Sequence, residues 1–306
     1  MNSKLMNELK EGKFVFTGEL EPRKITDLAE IVEEAKSLNG YVTACNVTDN
    51  PGSNACFSSL VCSYIVQRDA GVETIYQLTC RDRNRLALFS DLLGACALGI
   101  KNVLALTGDH PSLGDFPEAK PVFDLDSAQL VYMIRRMIDK GEDLKGNKIK
   151  GEVKLHVGVA VNPNADPLEP ELLKFERKIK VGAEFAQTQV VFDIATIEKF
   201  FETLDSLSIP EIPILIGIFP LKSYGVAQFF DKHVPGVKVP EELMERMKKA
   251  SEISDKKKRR EKYDEINLEY FSELIKEIKK TKARGCHVMA VHYVSMIKAL
   301  IEETRG

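Results

Sequence analysis

Several common signals are missing from this sequence, and each absence removes a class of protein. No apolar run approaches the roughly 18 residues that a membrane span needs. The first residues, MNSKLMNELKEGK, contain no apolar core of a signal peptide, which predicts a cytoplasmic protein. The net charge is only -3, so charge gives no reason to expect nucleic acid as a partner.

Motifs for several kinds of site are also missing. None of the six cysteines forms a C-x-x-C pair, and most lie in apolar segments, so reduced, buried thiols are expected; an iron–sulfur or zinc site is the alternative. The five histidines show no H-x-x-x-H or H-E-x-x-H spacing, so no metal site is predicted. No G-x-S-x-G indicates a catalytic serine, and no G-x-G-x-x-G follows a strand.

What the sequence does contain is a regular alternation of strand-like and helix-like segments. At 306 residues with 44% hydrophobic side chains, the chain is long enough to bury a large core. Eight strand-like runs, each followed by a helical pattern, predict a single-domain (β/α)8 barrel, the TIM barrel, over residues 1–306. The predicted strands are Phe14–Leu20, Val42–Val47, Thr74–Thr79, Asn102–Leu106, Leu155–Val161, Gln187–Phe192, Pro213–Ile218 and Cys286–Val291.

One charged segment interrupts this alternation. A charged helical insertion is predicted at about residues 233–262, followed by a long helix over Glu261–Lys282. The run KKKRREK at Lys256–Lys262 is typical of a solvated helix face, and a surface for an anionic partner is the alternative.

Polar residues at the predicted strand ends are the candidates for a site, because such barrels place their chemistry there. Glu19 and Gln189 are polar residues within strand sequence, where packing favours apolar ones. A carboxylate at the barrel mouth suits a general acid, although an ion pair with a neighbouring Arg or Lys would also explain Glu19. A hydrogen bond to the backbone of the barrel rim is the alternative for Gln189.

The stretch LALTGDHPSLGDFP contains two Gly-Asp-x-Pro sequences that differ in position. Asp109 follows a predicted strand and is a candidate site residue, whereas Asp115 lies in the following loop and is expected to be a surface turn residue.

Several short motifs occur in order at these predicted barrel positions, and together they resemble the methylenetetrahydrofolate reductase family. They are Glu19 with a following proline, N-V-T at 46–48, Q-L-T-C at 77–80, A-L-T-G-D at 105–109, E-R-K-I-K-V-G-A at 176–183, T-Q-V-V-F-D at 188–193 and I-G-I-F-P at 216–220. The resemblance runs from about Phe14 to the last helix. It implies a barrel carrying FAD that reduces 5,10-methylenetetrahydrofolate to 5-methyltetrahydrofolate in one-carbon metabolism.

The resemblance also implies roles for individual residues. Glu19 corresponds to the general acid, and Asp109 to a catalytic carboxylate beside flavin and pterin. Gln189 and Tyr224 correspond to substrate-binding residues. The positions expected to bind the cofactor are Thr48, Gln77, Thr107, Gly108, Asp109, Asn162, Asp166, Glu171, Lys174, Arg177 and Lys178.

This chain departs from better-known bacterial members of the family at five of those positions. Gln77 replaces a histidine, Thr107 an arginine, Asn162 a tyrosine, Asp166 a histidine and Glu171 an aspartate. Because the flavin contacts differ, FMN is kept as an alternative to FAD.

The loop Gly108–Ser127 is similar to the reductases of anaerobic acetogens. This likeness leaves NADH, NADPH or a reduced electron-carrier protein as the electron source. It also leaves open a small iron–sulfur or zinc companion subunit, within a homo- or hetero-oligomer.

Two other functions fit the predicted barrel. One is a corrinoid-linked methyltransferase acting on methyltetrahydrofolate, which would need no flavin. The other is a non-catalytic folate-binding subunit of an oxidoreductase complex. Glu19, Asp109 and Gln189 favour catalysis, since a scaffold needs no acid at the barrel mouth.

Overall fold

The chain forms a closed barrel of eight parallel strands, as the sequence predicts. The structure, a computed structural model, describes residues 3–290 and 292–305. Each strand pairs with its neighbours in sequence, and β1 pairs with β8 to close the barrel. The strands are β1 (Val15–Leu20), β2 (Ala44–Val47), β3 (Thr74–Thr79), β4 (Asn102–Leu106), β5 (His156–Val161), β6 (Phe185–Val190), β7 (Ile214–Ile218) and β8 (Gly285–Val288).

Helices pack around the barrel, the first across its amino-terminal end and the others outside the strands. They are α1 (Lys4–Lys10), α2 (Ala29–Leu38), α3 (Ser59–Ala70), α4 (Arg85–Ala97), α5 (Ser127–Lys140), α6 (Glu169–Lys180), α7 (Ile194–Ser206), α8 (Tyr224–His233), α9 (Glu241–Ser251), α10 (Lys256–Ile278) and α11 (Val294–Thr304). Side chains alternate between the two faces of each strand, so one set packs under these helices and the other fills the barrel.

The lower half of the barrel interior is apolar. Its cluster contains residues from six strands and the inner face of α1, namely Leu5, Met6, Leu9, Val15, Ala44, Ile75, Leu104, Phe185 and Leu215. On β5 a glycine faces this cluster, because a Cβ on Gly158 would lie 2.3 Å from the ring of Phe185. Helix α1 therefore covers the amino-terminal end of the barrel, and apolar packing fills the space above it.

Helix α1 is attached to the barrel through the carboxylate of Glu73, which precedes β3. Glu73 accepts hydrogen bonds from the hydroxyl of Ser3 at 2.7 Å and from the backbone N–H groups of Lys4 and Leu5 at 2.8 and 3.0 Å. The side-chain amide of Asn102 on β4 donates to the same carboxylate at 2.9 Å. An anionic acceptor suits the first turn of a helix, whose N–H groups lack partners within the helix.

The strand predictions differ from the structure mainly at the ends. β3 and β4 have the predicted bounds, whereas β6 begins two residues earlier and ends two residues earlier than predicted. Val191 and Phe192 continue the apolar run but lie beyond the strand, and the ring of Phe192 packs against Phe271 of α10. The prediction for β8 extended to Val291, which lies outside the described residues.

One helix is absent from the sequence-based prediction, and another is predicted only as part of the charged helical insertion. Helix α1 has only seven residues, too few for its apolar positions to establish a periodicity. Helix α9 lies within the charged segment 233–262, and α10 begins at Lys256, five residues before the predicted start. Leu243 and Met247 are the buried side chains that a charge-rich sequence conceals.

The cysteines are free thiols, as expected. Cys45, Cys62, Cys80 and Cys286 are buried, while Cys56 and Cys96 are partly exposed. Burial raises the pKa of the Cys45 thiol to about 12, which keeps it protonated and unreactive.

Replacing Glu73 with alanine should destabilise the fold. The substitution leaves the first N–H groups of α1 and the amide of Asn102 without their acceptor, at an expected cost of about 1–3 kcal/mol in the free energy of unfolding. Chemical denaturation measures this difference. The control is Glu33→Ala, which removes a carboxylate paired with Lys36 on the exposed face of α2 and should change stability little. Equal stability of the two variants would contradict the anchoring role.

Candidate active site

The candidate site is a cavity of ≈ 480 Å³ at the carboxyl-terminal mouth of the barrel. Parallel strands bring their last residues to this end, so residues distant in sequence meet there. Most of the predicted site residues line it, namely Glu19, Thr48, Gln77, Thr107, Gly108, Asp109, Asn162, Glu171, Lys178 and Gln189.

Four predicted site residues lie outside the lining of this cavity. Asp166 is exposed in the loop before α6, and Lys174 and Arg177 are exposed on α6. Tyr224 is the first residue of α8 and packs against the hydrophobic core. The cavity thus brings together candidates from several strand ends and from α6, and these four residues lie outside its lining.

Glu19 lies on the inner face of β1, and its side chain is 13% exposed. Its Oε2 atom lies 3.3 Å from Nε2 of His287 on β8. The ion pair with Arg or Lys that the sequence left open is replaced here by contact with an imidazole. A carboxyl group in this position can hold a proton next to a ligand in the cavity.

Below Glu19, a layer of buried polar side chains spans the barrel. Nδ1 of His287 lies 3.0 Å from the hydroxyl of Thr17, which also accepts a hydrogen bond from Gln187 at 3.2 Å. The amides of Asn46 and Gln187 bond to each other reciprocally at 2.7 and 3.0 Å. These four residues are at most 3% exposed. Because buried polar groups need partners, these bonds fix one another's geometry.

No role for this polar layer is predicted from the sequence, although a signal was present. Thr17, Asn46, Gln187 and His287 occupy inward positions of their strands, where packing alone would favour apolar residues. Their mutual contacts depend on barrel register, which a single sequence does not display.

The loops after β2 and β3 are joined by a buried carboxylate. Asp49 accepts from the N–H and hydroxyl of Thr79 at 2.9 and 2.8 Å and pairs with Arg83 at 2.8 Å. Burial lowers the pKa of the Arg83 guanidinium, but the charge of Asp49 more than offsets that effect and keeps it cationic. This ion pair holds one wall of the cavity.

Asp109 lies at the end of a strand, beside a glycine in the left-handed region. Gly108 has φ +93°, and a Cβ there would lie 3.0 Å from Cβ of Arg81. The hydroxyl of Ser53 donates to the backbone carbonyl of Asp109 at 2.9 Å, so the Asp109 carboxylate takes no part in this bond. Burial alone would lower the pKa of the Arg81 guanidinium. The hydrogen bond and charge of Asp82, with the charges of Asp49 and Asp109, have the larger effect, so the pKa is raised.

Asp115 differs from the expected surface turn residue. Its Oδ1 accepts from the N–H of Ala55 at 3.0 Å, and its Oδ2 pairs with Lys24. The Lys24 ammonium is the main cause that lowers the pKa of this carboxyl group. Asp115 therefore ties the loop after β4 to the loops after β1 and β2.

Two side chains on the cavity wall have properties suited to a bound ligand. The hydroxyl of Thr48 is buried and has no hydrogen-bond partner within the described residues. The ammonium of Lys178 donates to the carbonyl of Ala160 at 2.7 Å, and its burial lowers its pKa despite the nearby charge of Glu171. An unpartnered hydroxyl and a partly buried cation are both stabilised by a ligand that supplies hydrogen-bond acceptors.

Gln189 reaches the cavity because β6 is irregular. The register between β6 and β7 shifts between Gln187 and Val190, and the hydroxyl of Thr188 accepts from the N–H of Gly217 at 2.8 Å. Such bulges re-aim side chains near active sites. Oε1 of Gln189 accepts from the N–H of Val190 at 2.9 Å, which is the rim contact that the sequence left open.

Two further features bear on the kind of site. The residues that the structure describes contain no group of three or more His, Cys, Asp and Glu side chains able to hold a metal ion. Among the described helices, none combines the length and apolar character needed to cross a membrane.

Similar proteins place this barrel in context. "Methylenetetrahydrofolate reductase 2" of Schizosaccharomyces pombe is 26% identical over 90% of this chain, which covers 42% of that relative. "5,10-methylenetetrahydrofolate reductase" of Pectobacterium carotovorum is 24% identical over 75% of this chain and 72% of its own length. The chain thus spans less than half of the fission yeast relative and most of the bacterial one.

A solved structure and a family model are also similar to this chain. An uncharacterised protein from Clostridium thermocellum, described as binding two copies of 5-methyl-5,6,7,8-tetrahydrofolic acid, has the same fold. It superposes with a TM-score of 0.67 at 15% identity over 98% of both chains. The model of methylenetetrahydrofolate reductase matches residues 4–305. Because that match covers nearly the whole chain, the protein belongs to the methylenetetrahydrofolate reductase family.

Proposed function

We propose that this protein reduces 5,10-methylenetetrahydrofolate to 5-methyltetrahydrofolate. The observation that carries the proposal is the position of Glu19, a largely buried carboxyl group on the wall of a cavity at the barrel mouth. Family membership supports the reaction class, and the relatives from yeast and bacteria bear the name of this reductase.

Glu19 acts as the general acid in this proposal. It donates a proton to the folate nitrogen, so that the five-membered ring opens to an iminium ion. The carbon of that ion then accepts a hydride and becomes the methyl group. A carboxylic acid is required because the nitrogen is a poor leaving group until it is protonated.

Asp109 and Gln189 hold the substrate. A carboxylate at Asp109 stabilises the positive charge of the iminium, and it also accepts hydrogen bonds from the pterin. The side-chain amide of Gln189, near the end of β6, offers the substrate a hydrogen-bond donor and a hydrogen-bond acceptor. Tyr224 is proposed to stack on substrate; it lies outside the cavity lining, so this contact requires α8 or its preceding loop to approach the mouth.

A flavin fits the residues of the cavity wall. The unpartnered hydroxyl of Thr48 can donate to a carbonyl or ring nitrogen, and the partly buried ammonium of Lys178 suits a phosphate. Flavin, when bound, supplies the hydride for this reaction. Thr107, Gly108, Gln77, Asn162 and Glu171 are proposed to complete the cofactor contacts within the cavity.

The peripheral residues are proposed to contact the outer part of the cofactor. Asp166, Lys174 and Arg177 are exposed near α6, beyond the cavity that Lys178 lines. A dinucleotide extends further than a mononucleotide, so contacts at these positions favour FAD over FMN. The electron source is NADH, NADPH or a reduced carrier protein, the last of which would involve a companion subunit.

The decisive experiment is an anaerobic spectrum of the purified protein. NADH, NADPH or reduced ferredoxin is added in turn, and bleaching of the flavin absorbance identifies the donor. Adding methylenetetrahydrofolate should restore the oxidised spectrum and yield methyltetrahydrofolate. A protein that binds no flavin and transfers the methyl group to a corrinoid would overturn the proposal.

Glu19→Gln should abolish the folate half-reaction and leave flavin reduction intact. The amide preserves the shape of the side chain but has no acidic proton, so we expect a loss of roughly 10²–10⁴-fold. Stopped-flow measurement of each half-reaction separates the two effects. The matched control is Glu21→Gln, two residues further along the same chain segment and outside the cavity lining. Undiminished turnover in Glu19→Gln would show that Glu19 is not the acid.

Thr48→Val should weaken flavin binding without lowering the stability of the fold. The hydroxyl has no hydrogen-bond partner among the described residues, so its loss leaves none of their groups unsatisfied, whereas a hydrogen bond to flavin would be lost. We expect about 5–10-fold weaker affinity, equivalent to roughly 1 kcal/mol. Flavin titration and denaturation of the flavin-free protein measure the two quantities. Unchanged affinity would remove Thr48 from the cofactor site.

A further inference from the structure

The outer face of helix α4 is apolar, although it lies on the surface of the chain. Among the described residues of this helix, only Arg85 and Asp91 are charged. Both are engaged within the chain, because Arg85 pairs with Asp124 at 2.8 Å and Asp91 pairs with Arg83 at 2.9 Å. The residues on the outer face are Leu86, Ser90, Leu93 and Ala97.

Other helices around the barrel have polar outer faces. Helix α2 exposes Glu30 and Glu33, and α7 exposes Glu202. On α4, by contrast, Leu86 is 74% exposed and Leu93 is 36% exposed. A surface helix of a soluble protein normally directs polar residues outwards, and a helix that is apolar on all sides is normally covered. The face of α4 therefore indicates a contact that a single copy of the chain does not supply.

The apolar surface continues from α4 onto α3. A Cβ on Gly94 would lie 3.8 Å from Cδ2 of Leu60, so the two helices approach each other closely there. The next residue of α3, Val61, is 42% exposed. We define the α4 surface as the outward side chains of these two helices, namely Leu60, Val61, Leu86, Ser90, Leu93 and Ala97.

We propose that the α4 surface binds the same surface of a second copy of this chain, with the two α4 helices antiparallel. Large and small side chains alternate along the outer face, in the order Leu86, Ser90, Leu93 and Ala97. In an antiparallel pair, Leu86 of each copy lies against Ala97 of the other, and Leu93 lies against Ser90. Each large side chain thus meets a small one, as close packing requires, whereas a parallel pair would place leucine against leucine. A twofold axis makes all of these contacts twice.

Charge also favours a second copy over a membrane. Because the six side chains of the α4 surface are uncharged, pairing the surface with itself brings no like charges together. Antiparallel helices place the positive end of one dipole beside the negative end of the other. The cations next to the surface are neutralised by ion pairs, Arg68 with Asp69 at 2.6 Å and Arg85 with Asp124 at 2.8 Å. They therefore offer little attraction to an anionic lipid surface.

The surface is large enough for a dimer when the flanking helices contribute to it. Helix α4 has 13 residues and lies between α3 and α5 in the order of the barrel. A helix of this length is about 20 Å long and about 10 Å wide, so the three outer faces together cover roughly 600 Å². Each partner in a standard protein interface buries about 800 Å² of accessible surface, which is of similar size.

The first test compares the association of two glutamate variants of the full chain by sedimentation equilibrium. We expect the native chain to form an assembly of at least two copies at micromolar concentration. Leu93→Glu should weaken association by roughly 100-fold, because each dimer would then bury two unpaired carboxylates. The matched control is Leu207→Glu at the end of α7, where the leucine is 37% exposed and lies outside the α4 surface; it should associate as the native chain does.

The second test exchanges the large and small side chains of one contact. Ser90→Leu places leucine against Leu93 of the other copy, and Leu93→Ser leaves a gap, so each should weaken association by roughly 10-fold. The double variant again places leucine against serine in both contacts, and its association should return towards the native value. A partner other than a second copy keeps its own side chains, so the exchange would not restore its binding.

Self-association is measured without substrate or cofactor, so the result does not depend on the proposed reaction. Circular dichroism verifies that each variant is folded, and Leu86→Glu, at the more exposed leucine, replaces Leu93→Glu if that variant unfolds. A native chain that remains monomeric would overturn the inference. An assembly that tolerates the glutamate variant uses another surface and would overturn it equally. Weakened association in both single variants without recovery in the double variant would exclude the antiparallel pairing.

Discussion

Closure of the sheet between β1 and β8 is the constraint on which the rest of the structure depends. A closed barrel forces every second side chain of eight strands into one interior, which must be packed or hydrogen-bonded throughout. This chain meets that requirement in two ways along the barrel axis. Leu104, Phe185 and their neighbours fill the lower half with α1 beneath them, and amide, hydroxyl and imidazole groups fill the layer above. Buried polar groups are tolerated near the mouth because they form hydrogen bonds with one another.

The order of these layers explains how the site is held. Residues at the ends of strands would be mobile if only their loops restrained them, but the Glu19 carboxylate contacts His287, which is fixed from below by Thr17. The wall beside it is fixed by a different interaction, the buried pair of Asp49 and Arg83. Both interactions join separate βα units, so the cavity depends on the closed barrel and not on any one loop.

The sequence predicts the barrel and much of its mouth because both follow from local periodicity. Strands β3 and β4 are bounded by turn residues and have their predicted limits, and the strand-end positions lead to residues such as Glu19 and Asp109. Contacts across the barrel are not local. The pairing of Asn46 with Gln187 joins positions 141 residues apart, and the bulge that turns Gln189 towards the cavity arises between two strands. Neither has a signature within one segment.

The two Gly-Asp-x-Pro sequences show the same distinction at a smaller scale. Asp109 lies at the end of β4 on the cavity wall, where its loop is held through its backbone carbonyl by Ser53. Asp115 uses its carboxylate in structure, since one oxygen accepts from Ala55 and the other pairs with Lys24. A carboxylate committed to two partners is poorly placed to respond to a substrate, whereas one held only by its backbone remains available to bind. Position in the barrel sets which of these roles an aspartate in the same motif takes.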